Sequence, residues 1–329
     1  MNDQSPSPPE TWTDDILHGF EQMTLTNAPS FDGPVELVLV RRKTRDADPQ
    51  IKRAAVLYIH GFIDYFFQTH LADFYAEQGL DFYALDLRRH GRALRPHQTP
   101  NFMLDIDEFL ADVDLAVHFL KSREQVGWLL LNGHSTGGLV AALYAHRGPQ
   151  RAAVDALFLN SPFLDMNVPA WQGLLVEPLL AWLGKLFPRM PLPGLPQVYG
   201  KSIHAEHHGE WRFDQRWKPV AGFPVYAGWL RAIHLAQAEV ARGLNITCPC
   251  LILHAEHSLR TNHWSPAAMG ADTVLDVADM RRLAPRLGKN VETSAIPGGL
   301  HDLVLSNSAA REMVWEKLRS WLAGVRLRR

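Results

Sequence analysis

A near-continuous apolar run at residues 126–132 passes straight into Gly133-His134-Ser135-Thr136-Gly137-Gly138. An unbroken apolar run of strand length fits a strand covered on both faces, the habit of parallel sheets sandwiched between helices. The small-residue stretch that follows, residues 136–146, reads as a helix. Ser135 is therefore expected at a tight bend from a buried strand into a helix. Side chains at 133 or 137 would collide with neighbouring backbone in such a turn. The first N–H groups of the helix would point at any negative charge developing beside the serine. That setting suits a nucleophilic serine.

The surrounding pattern repeats the alternation. Strands are expected at 35–42 and 54–60, separated by a polar linker at 43–53, and again at 81–87 and 154–160. A helix is expected at 107–120, with Asp105 or Asp107 as its N-cap. Residues 162–245 hold many prolines and aromatics and no clear parallel-strand run. The strand pattern resumes at 250–254 and 291–296, and a helix at 311–322 closes the chain. Residues 246–329 offer too few strands for a sheet of their own. The expected fold is therefore α/β, a mostly parallel central sheet flanked by helices. Residues 13–161 and 246–329 form its core, 162–245 an inserted helical cap, and the Pro/Ser-rich residues 1–12 a tail. A chain of 329 residues, 47% of them hydrophobic, is large enough to bury such a core.

Composition removes several function classes. The net charge is −2 with both signs interspersed, so no basic field attracts nucleic acid. The basic last five residues read as a solvated tail. The two cysteines, Cys248 and Cys250, flank Pro249, too close to bridge distant loops and without a second ligand pair for zinc. They read as free thiols in a reducing interior. The first residues lack a basic segment followed by an apolar one, so no signal peptide is expected. No stretch of about 20 apolar residues exists to span a bilayer, and a cytoplasmic location is expected.

A serine hydroxyl needs a base to become a nucleophile. Among 16 histidines, His301 is selected by place: it follows the last expected strand in Ile296-Pro297-Gly298-Gly299-Leu300-His301-Asp302. The chain order Ser…Asp…His requires a histidine there. An oxyanion hole needs two backbone donors. The N–H of Thr136, next after the nucleophile, is one candidate. The N–H of Phe62, in the strand-ending Ile59-His60-Gly61-Phe62, is the other. His204-Ala-Glu-His207-His208 and His254-Ala-Glu-His257 invite a zinc reading, but a catalytic zinc needs a third ligand and an open position. The second cluster also begins in a strand, where a spacing of three points to opposite faces. Both are read as solvated or core histidines, and no metal or organic cofactor is expected.

These motifs resemble those of α/β-hydrolases of the monoacylglycerol lipase / lysophospholipase type, the serine aminopeptidase S33-like group. The resemblance rests on His60-Gly61-Phe62, on Ala84-Leu85-Asp86-Leu87-Arg88-Arg89-His90-Gly91-Arg92, on Gly133–Gly138 and on His301-Asp302. Arg89 replaces a glycine of the family's Asp-x-Arg-Gly-His-Gly segment, and Thr136 its usual methionine. The family places its acid a few residues past the penultimate strand, where this chain has Ser258. After an insertion, Ala271-Asp272-Thr273-Val274-Leu275-Asp276 resembles the run around the family's acid. The resemblance thus implies Asp272 as the third member of a triad, with Glu256 and Asp276 as alternatives. Asp302 is disfavoured, because neighbouring side chains diverge.

Within the expected cap, residues 168–186 are rich in Leu and Trp, broken by Pro178 and charged only at Glu177 and Lys185. They suit an apolar wall over the serine, with transient contact at a membrane surface at most. Trp211, Phe213, Trp217, Phe223, Tyr226 and Trp229 suit either an acyl pocket or the core of the cap. The resemblance implies small-molecule lipid or ester substrates such as monoacylglycerols, lysophospholipids or related carboxylesters, cleaved through an acyl-enzyme. A C–C bond hydrolase, an aminopeptidase and a non-catalytic binding protein on the same fold are the competing readings.

Overall fold

The structure, a computed structural model, describes residues 11–42, 53–166 and 182–327. Nearly all of the expected tail, the linker up to residue 52 and the first part of the apolar cap stretch lie outside the described residues.

Among the described residues, nine strands form one sheet. Strands β1 (Thr13–Asp14), β2 (Phe20–Ser30) and β3 (Gly33–Arg42) make an antiparallel edge. Next come β4 (Arg53–Ile59), β5 (Asp81–Asp86), β6 (Val126–His134) and β7 (Ala156–Asn160). After a long excursion containing the two-stranded ribbon β8 (Pro191–Leu192) and β9 (Val225–Tyr226), the sheet ends with β10 (Cys250–Ala255) and β11 (Val291–Ile296). The order across the large sheet is β1-β2-β3-β5-β4-β6-β7-β10-β11, parallel from β5 onward.

The apolar runs find their reason in this topology. Every residue of β7 and β10 is buried, because helices cover both faces. Along β6, Leu129 and Leu131 point into a core shared with α2 (Asp107–Ser122) and α3 (Thr136–Arg147). Leu130 points the other way, into a core with α1 (Thr69–Glu77) and α7 (Ser308–Leu327). Within the excursion lie α4 (Val198–Ile203) and α5 (Ala227–Arg242), and α6 (Val277–Leu287) precedes β11. Strand β4 pairs with β5 on one side and β6 on the other. The chain changes direction there, and the diverging connections leave a crevice at the carboxyl ends of β4 and β6.

Some local readings differ from the structure. Ile106, not an aspartate, occupies the N-cap position of α2, while Asp105 accepts the Asp107 N–H from outside at 3.0 Å. The long strand β2 carries a weak apolar signal, Phe20, Met23 and Leu25 buried among Thr, Asn and Pro, and its pairing with β3 makes it a strand. Helix α6 buries Val277, Met280, Leu283, Ala284 and Leu287 at helical spacing and carries Pro285 inside it.

Burial pushes four imidazoles, His70, His90, His134 and His254, below the ordinary histidine value. The unfolded chain therefore takes up protons before the native one as pH falls through about 6.5. Stability is expected to be fully present above that pH and to decline toward pH 5. Thermal melts between pH 7.5 and 5 check this; a melting temperature independent of pH would contradict it.

Candidate active site

Ser135 stands between β6 and α3 with φ +53° and ψ −117°, a region that costs a non-glycine residue about 1–3 kcal/mol. The surroundings fix it there. Its N–H donates to Asn160 O at 3.0 Å, and its carbonyl accepts the N–H of Phe163 at 3.0 Å and of Gly138 at 2.9 Å. The flanking glycines are required by close approach. A Cβ at Gly133 would lie 2.4 Å from Gly137 O, and one at Gly137 would lie 2.2 Å from Ile59 O. Strand β4 and the elbow are thus in backbone contact, which brings the 60–65 loop against the serine. The N–H of Thr136, first in α3, has no acceptor within the helix.

His301 reaches the serine from the loop after β11. Its Nε2 lies 2.9 Å from Ser135 Oγ, and its Nδ1 lies 2.9 Å from Asp272 Oδ2. All three side chains are buried. Ser306 Oγ accepts the Leu300 N–H at 2.8 Å and steadies the loop, while the Tyr199 ring meets the imidazole edge-on at 5.4 Å. A hydroxyl, an imidazole and a carboxylate in this series can pass the hydroxyl proton to the ring while the carboxylate holds the opposite N–H.

The position of Asp272 depends on a detour. The segment 259–271 leaves the sheet and returns so that Asp272 bridges Ser258, with the Asp272 N–H donating to His257 O at 3.0 Å. The far oxygen, Oδ1, accepts the N–H groups of Val274 and Leu275, both at 2.8 Å. Of the alternatives, Glu256 is exposed, and Asp276 caps α6 by accepting the Ala278 N–H. Asp302 turns away from the imidazole and accepts from Asn160 Nδ2 at 2.7 Å and Gln68 Nε2 at 3.2 Å.

Arg89 carries the left-handed backbone that the family's glycine would adopt freely, at φ +61°. It is fully buried and holds Asp32 and Glu108 at 2.6 and 2.8 Å, so the strained position is tied into a charged network. The two histidine clusters do not converge on one centre. His254 is buried and His257 exposed, while His208 stacks on Trp264 at 3.4 Å. A different group does converge: the ligand atoms of Asp64, His134 and Asp302 lie within 4.8 Å of one another. Lys218 brings its own positive charge to it, with Nζ 2.7 Å from Asp64 Oδ1. Neither Asp64 nor Lys218 stands out in the sequence, because their pairing joins residues far apart along the chain.

Ser135 and His301 open onto a cavity of about 640 Å³. Phe62, Ile63, Phe163, Leu192, Val225 and Trp229 make most of its wall apolar, and Arg260, Thr261 and Asn262 give it a polar rim. Phe213 and Trp229 of the expected aromatic group line this cavity. Trp211 instead donates to Leu305 O, and Trp217 packs on Tyr65. Among the described residues no helix is long and apolar enough to cross a membrane.

Known proteins share this arrangement of elements. A sequence profile of the family described as serine aminopeptidase, S33, matches residues 50–307. A monoacylglycerol lipase of Mycolicibacterium smegmatis is 28% identical over 298 residues, spanning 85% of this chain and 90% of its own. Solved structures share the fold, monoacylglycerol lipases among them. A soluble variant of monoglyceride lipase from Saccharomyces cerevisiae superimposes with TM-score 0.64 at 18% identity, over 92% of this chain and 97% of its own. The monoacylglycerol lipase of Paleococcus ferrophilus gives 0.60 at 17% identity, over 83% and 95%. The chain thus belongs to the serine aminopeptidase, S33, family of α/β-hydrolases and is an ester hydrolase of the lipase/esterase type.

Proposed function

We propose that Ser135, His301 and Asp272 form a catalytic triad that hydrolyses carboxylic esters bearing an apolar acyl group. The observation that carries this reading is the unbroken Ser135–His301–Asp272 hydrogen-bond series at a predominantly apolar cavity. Ser135 Oγ attacks the ester carbonyl as His301 Nε2 takes its proton. The N–H groups of Phe62 and Thr136 receive the developing oxyanion, each donor contributing about 3 kcal/mol to the transition state. The imidazolium, steadied by Asp272, returns the proton to the leaving alcohol. Water then repeats the sequence on the acyl-enzyme, and the three groups need no metal or organic cofactor.

Residues 162–245 act in this proposal as a cap on the core formed by 13–161 and 246–329. The cap contributes Phe163, Leu192, Val225 and Trp229 to the acyl wall. Exposed Trp182 and Phe187 suit brief contact with a lipid–water interface of a cytoplasmic membrane surface. An aminopeptidase would need a free carboxylate to receive the substrate ammonium. Asp64, the acidic residue lining the cavity, is already engaged by Lys218, which favours an uncharged acyl ester. The similarity to a monoacylglycerol lipase makes a monoacylglycerol, a lysophospholipid or a related ester the substrate class of choice.

A turnover profile across monoacylglycerols, lysophospholipids, short aryl esters and aminoacyl amides tests the proposal. Long-chain esters are expected to exceed aminoacyl amides by at least about 100-fold in kcat/KM, the scale that a site lacking the partner for a buried ammonium imposes. Preferred turnover of the amides would overturn it.

A further inference from the structure

The loop carrying the Phe62 N–H is gripped from outside the core. Ile63, next along, holds φ +51°, an outlier for a β-branched residue. Its neighbours are clamped by residues of the excursion between β7 and β10. The Phe62 ring lies 4.1 Å from that of Trp229 on α5. Asp64 Oδ1 receives Lys218 Nζ at 2.7 Å. The Tyr65 hydroxyl accepts the Asp214 N–H at 2.7 Å, and its ring meets Trp217 edge-on at 5.1 Å. Both Asp64 and Lys218 are buried, and the ammonium faces the rings of Phe67, Tyr199 and Phe213 at 5.7–5.8 Å. Burial alone would push the Asp64 carboxyl up, yet Lys218, with His134 and His60 nearby, holds it below its ordinary value.

A buried ion pair is a poor means to stability, since apolar groups of the same size often serve as well or better. What such a pair does supply is a fixed direction. We infer that Lys218 is a positioning residue: by holding Asp64 it sets, two residues earlier, the Phe62 N–H in the oxyanion hole, so that the cap completes the catalytic site. This rests on the reading of Ser135 as nucleophile and Phe62 N–H as oxyanion donor. Strain at Ile63 would otherwise let the loop relax, and the donor would drift from the oxyanion.

The test compares K218M and D64N/K218M with the wild-type protein. The double variant removes both charges of the pair, so it decides the matter even where K218M folds poorly. Three quantities are read: kcat and KM on one ester, affinity for an alkyl trifluoromethyl ketone, and affinity for a non-hydrolysable ether analogue of the ester. The ketone forms a tetrahedral adduct whose oxygen anion occupies the hole; the ether does not. The double variant is expected to melt near the wild-type temperature and to lose about 10–100-fold in kcat, part of the effect of removing a donor outright. Ketone affinity should fall by a similar factor, with KM and ether affinity within about threefold, the pattern of a lost transition-state interaction. K218R, which retains the cation, should recover most of the activity. Wild-type kcat and ketone affinity in the folded double variant would overturn the inference. So would a loss confined to KM and ether affinity, which would make Lys218 a substrate contact. Fluorophosphonate labelling of Ser135 in the wild-type protein separates the two levels: without it the triad reading itself fails, whereas with it only the role of Lys218 is at stake.

Discussion

Replacing Ser135 by alanine is expected to lower kcat on any ester by at least about 10⁴-fold and to abolish covalent labelling by a fluorophosphonate. The change removes only the oxygen that lies 2.9 Å from His301 Nε2. Alanine bears the same backbone strain at φ +53° as serine, and the hydrogen bonds that fix the elbow are made by backbone atoms at this position. The variant should therefore melt within a few degrees of the wild-type protein, so lost activity cannot be assigned to unfolding. Ester turnover by the purified alanine variant at the wild-type rate would remove the serine from the mechanism.

Asp272→Asn is the second large effect, about 10⁴-fold in kcat. The reason lies in how the carboxylate is held. Oδ1 accepts two backbone N–H groups, from Val274 and Leu275, and Oδ2 faces His301 Nδ1. An asparagine keeps its oxygen on the two N–H donors and turns its NH₂ toward the imidazole. Nδ1 must then accept, the ring proton moves to Nε2, and the nitrogen facing Ser135 no longer serves as a base. Glu256→Gln is expected to leave kcat within about twofold, because it alters an exposed group away from the imidazole. Asp276→Asn should do the same, since asparagine caps a helix about as well as aspartate. If Glu256→Gln lost several orders of magnitude while Asp272→Asn did not, Asp272 would not be the acid.

How much of this was legible in the sequence depended on the distance over which each feature is decided. The elbow is local. A strand buried on both faces, a bend that excludes side chains at 133 and 137, and a small-residue helix follow one another within residues 126–147, so their physics is written in neighbouring letters. The parallel sheet was legible for a similar reason, because strands covered on both faces must be apolar throughout. Strand β2 was not: one of its faces is partly open, and its pairing with β3 holds Thr, Asn and Pro in an extended run.

The site shows the same division. Chain order pointed to His301, but Asp272 emerged only through resemblance to a family, because the loop 259–271 displaces it along the chain while returning it in space to Ser258. Nothing in the sequence paired Asp64 with Lys218 or Phe62 with Trp229, contacts that join the 60–65 loop to the excursion. By itself, then, the sequence determined the alternation of strand and helix, the elbow and the place of His301, all set by local sterics, periodicity and chain order. Only the tertiary structure decided which carboxylate meets the imidazole and what braces the loop opposite it. Those choices are made by contacts between distant segments, and no local preference encodes them.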